Sequence, residues 1–235
     1  MRNWHYCSIL LSWPKVGLRV KSQSNQVRAH IESRFAGMGS EMDPLTRALQ
    51  DVEGPVPKPF IDYLQRRRSP AAVLLALIER PEGLALLFTE RADHLKDHPG
   101  QVSFPGGRIE LGDAGPVEAA LREANEEVGL DPQQVSVAGC LGRFLTVTGF
   151  LVTPVVGFVT PEFQPVPDDT EVAEVFEVPL EFLLEEDNIR VTYRERLGAR
   201  MRVHEITYEG HRIWGATASM LIGFISLISN EKTNE

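Results

Sequence analysis

Cysteine is scarce. The 235-residue chain has two, Cys7 and Cys140, too distant to frame a metal knuckle and too few for a disulfide scaffold. A reducing compartment is the plain reading, with the cytoplasm as the expected location. Long apolar runs are missing too: Ala71–Ile78 and Met220–Ile228 fall well short of the roughly 18–20 residues that span a bilayer, so no membrane partner is expected. Lys and Arg are outnumbered 24 to 33 by Asp and Glu, which leaves a formal charge of −9. Duplex affinity rests mainly on cations that neutralise phosphates, so no nucleic-acid partner is expected either. A small anionic substrate stays open, because a few local cations or a bound metal suffice to receive one. Gly and Pro are too sparse for a low-complexity or fibrous chain.

Acids are missing from one place in particular. Residues 1–31 contain Arg2, Lys15, Arg19, Lys21 and Arg28 but no Asp or Glu. Four readings fit: a flexible tail, translated sequence upstream of a start at Met38 or Met42, a helix belonging to the domain, or an organellar targeting segment. The organisation expected is therefore a basic extension over 1–42, a domain over 43–230 and a polar tail over 231–235.

Beyond the extension, hydrophobic periodicity predicts a short helix over Pro44–Val52, a Pro-rich connector and a helical turn that ends in the basic run Arg66–Arg68. Strand-like runs follow at Ala71–Glu79 and Leu84–Arg91, joined by a hairpin-type Arg80-Pro81-Glu82-Gly83. A Pro- and Gly-rich loop leads into a helix from Gly115 to Val128. Further strands are expected at Val135–Leu141, Leu151–Val159, Ala173–Val178, Ile189–Arg194, Arg200–Tyr208 and His211–Trp214, and an apolar helix at Thr217–Ser229. Strands with one central and one terminal helix argue an α+β fold with a mixed sheet.

The chemistry concentrates in Phe104–Leu130, FPGGRIELGDAGPVEAALREANEEVGL. Val117, Ala120, Leu121, Ala124 and Val128 recur at helical spacing as an apolar stripe, and Glu123, Glu126 and Glu127 share another face at i, i+3 and i+4. Three like charges that close repel unless solvent, a basic residue or a cation relieves them. On most helices such a trio is a solvated face; as ligands, hard oxygens at this spacing suit Mg²⁺ or Mn²⁺. Gly106 and Gly107 would let backbone approach a ligand closely.

The whole string closely resembles the Nudix box, G-x5-E-x7-R-E-U-x-E-E-x-G-U, whose family hydrolyses nucleoside diphosphates linked to another group. Here Asp113 stands for the first acid, eight residues precede Arg122 instead of seven, and Ala124 fills the bulky position. Those departures are similar to one branch, the coenzyme A pyrophosphatases, whose box reads GG-x-x-D-x-x-D; Glu110 and Asp113 occupy its two acidic positions. The same branch carries L-L-T-x-R-[SA]-x3-R-x3-G-x3-F-P-G-G. In register, this chain has Leu87-Phe88-Thr89-Glu90-Arg91-Ala92, then Lys96, Gly100 and Phe104–Gly107. Lys96 keeps the charge of the arginine it replaces without the planar fork. The resemblance covers about Ala71–Trp214.

What it implies is a Nudix mixed sheet between helices and cleavage of coenzyme A to adenosine 3′,5′-bisphosphate and 4′-phosphopantetheine, with no partner beyond the small-molecule substrate; a homodimer stays open. Glu123, Glu126 and Glu127 would hold Mg²⁺ or Mn²⁺, with Glu126 and Glu127 also in the catalytic set. Arg122 would orient a loop or a carboxylate. Arg91, Lys96, Gly106 and Gly107 would contact substrate, and coenzyme A offers a 3′-phosphate to Arg91 and Lys96. Glu171 is the candidate general base, Glu174 its neighbour in the same acidic stretch. His94 and His98 read as solvated or bonded to backbone, Trp214 and Phe224 as core before adenine stacking. Two rivals remain: a Nudix hydrolase of ADP-ribose or a dinucleotide, and a catalytically silent Nudix ligand sensor.

Overall fold

Ser69–Arg80 carries the longest apolar run, and burial on both faces explains why it reads apolar almost without alternation. The computed structural model describes residues 20–37, 42–66, 68–92, 94 and 100–229. In chain order the elements are α1 (Val20–Ala36), α2 (Pro44–Leu49), β1 (Val52–Glu53), α3 (Lys58–Leu64), β2 (Ser69–Arg80), β3 (Gly83–Arg91), β4 (Val102–Ser103), β5 (Gly106–Arg108) and α4 (Pro116–Val128). Then come β6 (Val135–Cys140), β7 (Phe144–Leu145), β8 (Phe150–Val159), β9 (Val172–Pro179), α5 (Leu180–Leu184), β10 (Ile189–Arg196), β11 (Ala199–Tyr208), β12 (His211–Trp214) and α6 (Gly215–Ser229).

Two sheets form where the sequence suggested one. The larger runs β4-β3-β2-β8-β6, with β5 on β2, β7 on β8 and β9 on β3. Its β2–β8 pair is parallel, from Ser69↔Phe150 to Ile78↔Val159, and the crossover that a parallel pair demands contains α4. The smaller sheet runs β1-β11-β10, with β12 also on β11. Cross-strand register, which periodicity does not encode, separates the two.

One edge of β2 is shared. β3 pairs with its far half, Leu77↔Leu86 to Arg80↔Gly83, and β5 takes the near half, Ala71↔Arg108 to Val73↔Gly106. The glycine segment thus becomes a strand of the sheet instead of a free loop. On one face, Ala120, Ala124 and Val128 of α4 pack with Leu74, Ile78, Leu87 and Val155. On the other, Leu75, Leu77, Phe88, Val156 and Phe158 join Leu221, Phe224 and Ile228 of α6. Each such side chain, fully buried, contributes about 1.5–3 kcal/mol before the entropy of ordering is charged against it.

The basic extension is not separate from the domain over residues 20–36. Ile31 of α1 is fully buried in the α6-side core, His30 Nε2 lies 2.7 Å from the Ile228 carbonyl, and Arg34 donates to the Leu227 carbonyl at 2.8 Å. The Arg28 guanidinium sits 4.5 Å over the Phe158 ring. Basic residues that cap α6 carbonyls look, in sequence, like any solvated tail. Residues 1–19, 230 and the tail 231–235 lie outside the described residues. Ile31→Ala is expected to lower the unfolding free energy by about 2–4 kcal/mol. A urea titration showing a loss below about 0.5 kcal/mol would mean that α1 does not pack as described.

Candidate active site

Helix α4 begins with Pro116 in its first turn and ends at Gly129, whose φ of +69° closes it in the left-handed conformation with its N–H directed at the Ala124 and Asn125 carbonyls. Glu118 accepts the Ala114 N–H at 2.5 Å ahead of the first turn. Buried alanines bring the helix close to the sheet, and the carboxylates of its next face meet β5.

Glu127 is the most enclosed of them, 7% exposed, and its Oε2 accepts the Gly106 N–H at 3.3 Å. Burial pushes its carboxyl up to about 8, with Glu123 and Glu171 adding to the shift and the Gly106 N–H and Arg91 opposing it. Enclosed in this way, the carboxyl holds its proton more tightly than a free glutamate unless a cation is beside it. Glu123 is also raised, first by burial and then by Glu126 and Glu171, against the pull of Arg122. These acids share a pocket of negative potential, and Glu171 and Arg91 both reach it electrostatically.

The glycines explain the closeness. A Cβ on Gly106 (φ +155°) would meet the Ala72 carbonyl oxygen at 2.4 Å, and one on Gly107 would meet the Glu123 carboxyl carbon at 2.4 Å. At both positions the space that a side chain would fill is taken, by the backbone of β2 in one case and by Glu123 in the other.

Arg122 ties the remaining acids together. Its Nε donates to Asp113 Oδ1 at 3.0 Å and its Nη2 to Asp113 Oδ2 at 3.1 Å, a two-pronged grip. Nη2 also donates to the Arg108 carbonyl at 3.1 Å, and Nη1 lies 3.0 Å from both Glu123 Oε1 and Glu126 Oε2. The Arg122 grip and the Glu110 N–H, at 2.8 Å from Oδ2, hold the Asp113 carboxyl below its ordinary range. Glu126, exposed, is turned toward Arg122 and so stands apart from Glu123 and Glu127 in its surroundings.

The loop before β9 brings Glu171 in. Asp168 N–H bonds the Glu127 carbonyl at 3.0 Å, Val166 N–H the Val128 carbonyl at 2.9 Å, and Ala92 N–H the Glu171 carbonyl at 2.9 Å. The loop is stitched to the end of α4 and the end of β3 at once, which is how residues far apart in sequence share one pocket. His94 Nε2 lies 3.1 Å from the Thr170 carbonyl in the same loop. Lys96 and His98 lie outside the described residues.

A family model described as the NUDIX domain matches residues 68–197, more than half of the chain. The chain belongs to the Nudix hydrolases. It is 44% identical over 165 residues to the uncharacterised Nudix hydrolase NudL of Enterobacter sp. (strain 638), an overlap of 70% of this chain and 84% of that protein. It is 43% identical over 164 residues to the uncharacterised NudL of Salmonella heidelberg (strain SL476), covering 70% and 85%. Among solved structures it is similar to the Nudix hydrolase RenU of M. smegmatis, at 27% identity and a TM-score of 0.43 over 50% of this chain and 74% of that one. α4 is thus the Nudix helix, and a nucleoside diphosphate derivative is the class of substrate.

Other acids gather elsewhere. Glu174, grouped in sequence with Glu171, points to the opposite face of the sheet with Glu90, its cross-strand partner. Between them His211 lies with Nδ1 2.9 Å from Glu90 and Nε2 3.6 Å from Glu174, its ring stacked 3.9 Å from Phe176. Among the described residues, this is the trio whose ligand-type atoms all come within 4.8 Å of one another. It sits on strands whose register the sequence did not reveal, so sequence reasoning missed it. Phe224 is fully buried, while Trp214 is half-buried with the Arg212 guanidinium 4.9 Å from its ring centroid.

The two glycines of the Nudix loop should separate stability from activity. Gly106→Ala drives a Cβ into β2 backbone, so it should cost more than 2 kcal/mol of stability by denaturant titration. Gly107→Ala meets only the end of the Glu123 side chain, so melting should change little while turnover falls at least tenfold. Equal losses in both variants would contradict these packing assignments.

Proposed function

We propose that the protein hydrolyses the diphosphate of coenzyme A, releasing adenosine 3′,5′-bisphosphate and 4′-phosphopantetheine. The observation that carries this reading is the segment Leu87–Gly107, in which Arg91, Gly100 and Phe104–Gly107 keep the spacing of the coenzyme A branch and lead directly into the Nudix helix. Arg91 ends β3 with its N–H on the Gln101 carbonyl at 3.1 Å, and its charge bears on Glu127. A cation so placed suits the diphosphate itself.

The residues fit a divalent ion. A carboxyl as deeply buried as Glu127, under the charges of Glu123 and Glu171 with one backbone N–H and the smaller pull of Arg91 for relief, is a donor set short of positive charge. Glu123 and Glu127, with Glu126 at the exposed rim, would hold Mg²⁺ or Mn²⁺. Such an ion, when bound, neutralises diphosphate oxygens and lowers the pKa of a water. Glu171, on the loop tied to the ends of α4 and β3, takes the proton of the attacking water. That water's oxygen bonds to one phosphorus as the bridging P–O bond breaks. Arg122 does not touch substrate in this account; bound to Asp113, the Arg108 carbonyl, Glu123 and Glu126, it is a positioning residue that fixes the helix against the glycine strand. Gly106 contributes its N–H to Glu127, and Gly107 makes room for Glu123.

The test is a substrate panel with products identified by mass: coenzyme A, an acyl-coenzyme A, ADP-ribose and NADH, each with Mg²⁺ or Mn²⁺. Coenzyme A should be cleaved at its diphosphate with the highest kcat/KM. Glu127→Gln, which keeps helix propensity and removes a charge, should lose at least a hundredfold in kcat. Faster cleavage of ADP-ribose than of coenzyme A would replace the substrate assignment. Full activity in Glu127→Gln would overturn the assignment of that carboxylate.

A further inference from the structure

The basic run at the end of α3 is not used by the Nudix site, and its surroundings are unusual for an acidic protein. Tyr63 is ringed by three guanidiniums: Arg196 at 4.7 Å, Arg68 at 5.0 Å and Arg66 at 5.5 Å from its ring centroid. Two of them are fixed in place. Arg68 Nη2 donates to the Tyr63 carbonyl at 2.6 Å, and Arg196 Nη2 donates to the Tyr63 hydroxyl at 3.0 Å, while that hydroxyl donates to the Val147 carbonyl. No carboxylate forms an ion pair with any of the three among the described residues; the neighbouring Asp62 is taken by Lys58 at 2.8 Å. Arg68 Nε is buried and has no hydrogen-bond partner.

Each arginine–tyrosine contact is favourable, but three cations around one ring also repel one another. A buried N–H without an acceptor adds a further cost. One ligand class removes the repulsion: an anion with several acceptor oxygens, which guanidinium forks bind two-pronged through their outer nitrogens. Gly149 (φ +104°), whose carbonyl accepts the Ser69 N–H at 3.0 Å, has no side chain to fill the space beside Arg68; a Cβ there would lie 3.9 Å from Arg68 Nη1.

We propose that Arg66, Arg68 and Arg196, gathered on Tyr63, form a binding site for a phosphate monoester. It is distinct from the diphosphate position. Gly107 pairs with Ala72 of β2, and Arg68 precedes Ala72 by four residues, roughly 13 Å along the strand. The phosphate belongs either to the far part of the substrate or to a separate small anion.

The chemistry is tested without turnover. Binding of inorganic phosphate and of adenosine 3′,5′-bisphosphate is measured by calorimetry with a chelator present, so that the Nudix carboxylates hold no metal. Arg68→Gln and Arg196→Gln should each weaken binding about tenfold; exposed Arg66→Gln, the change least able to disturb folding, should act in the same direction. Unchanged affinity in all three variants, with their melting temperatures preserved, overturns the site. The second arm rests on the coenzyme A reading and identifies the source. A fall in the ratio of kcat/KM for coenzyme A over dephospho-coenzyme A in Arg196→Gln assigns the phosphate to the substrate. An unchanged ratio with phosphate binding lost assigns it to a separate anion. If no coenzyme A is cleaved, the binding arm still decides the site.

Discussion

Glycine at 106 and 107 lets the strand before the Nudix helix lie against β2 on one side and against the Glu123 carboxylate on the other. Any side chain at either position would occupy space already filled, by the Ala72 carbonyl in one case and by the Glu123 carboxyl in the other. The separation between sheet and helix follows from this close approach. So does the burial of Glu127, whose carboxyl reaches the Gly106 N–H only because the strand comes so near. The small residues Ala119, Ala120 and Ala124 permit the same approach from the helix side.

Burial and charge then act together. Desolvation raises Glu127, and the neighbouring Glu123 and Glu171 raise it further, so the pocket favours whatever brings positive charge. Arg122 does not supply it there. Its fork is spent on Asp113 and the Arg108 carbonyl, with one nitrogen shared between Glu123 and Glu126. A partly exposed ion-pair network of this kind adds modest stability, but it fixes orientation. Arg122 therefore holds the loop and helix in register, and Glu127 keeps its need for a cation. Elsewhere His211 is set between Glu90 and Glu174, directly opposed carboxylates on β3 and β9, and stacks on Phe176.

Much of this was legible in residue order. Alternation and apolar runs located β2, β3, β8 and β9, and the helix expected from Gly115 to Val128 is α4, Pro116–Val128. The acids at i, i+3 and i+4 pointed to the right helix, since helical spacing is local information. Three things were not legible. The glycine segment reads as a loop in sequence, yet it pairs with β2 because β3 leaves that half of the strand's edge open. Helix α1 carries few apolar residues, and its attachment through Ile31 and through carbonyls of α6 depends on a partner nearly 200 residues away. The three positions Glu123, Glu126 and Glu127 look equivalent on a helical wheel, but tertiary contacts make Glu127 buried, Glu123 half-enclosed and Glu126 a partner of Arg122.

If the carboxylates brought against the glycine strand form the cation site of this Nudix hydrolase, Mn²⁺ soaked into crystals should reveal itself there by anomalous scattering. A manganese peak held by Glu123 and Glu127, and lost in Glu127→Gln, is the expected result. A peak confined to Glu90, Glu174 and His211, with none at the Nudix helix, would place the cation elsewhere and overturn this assignment.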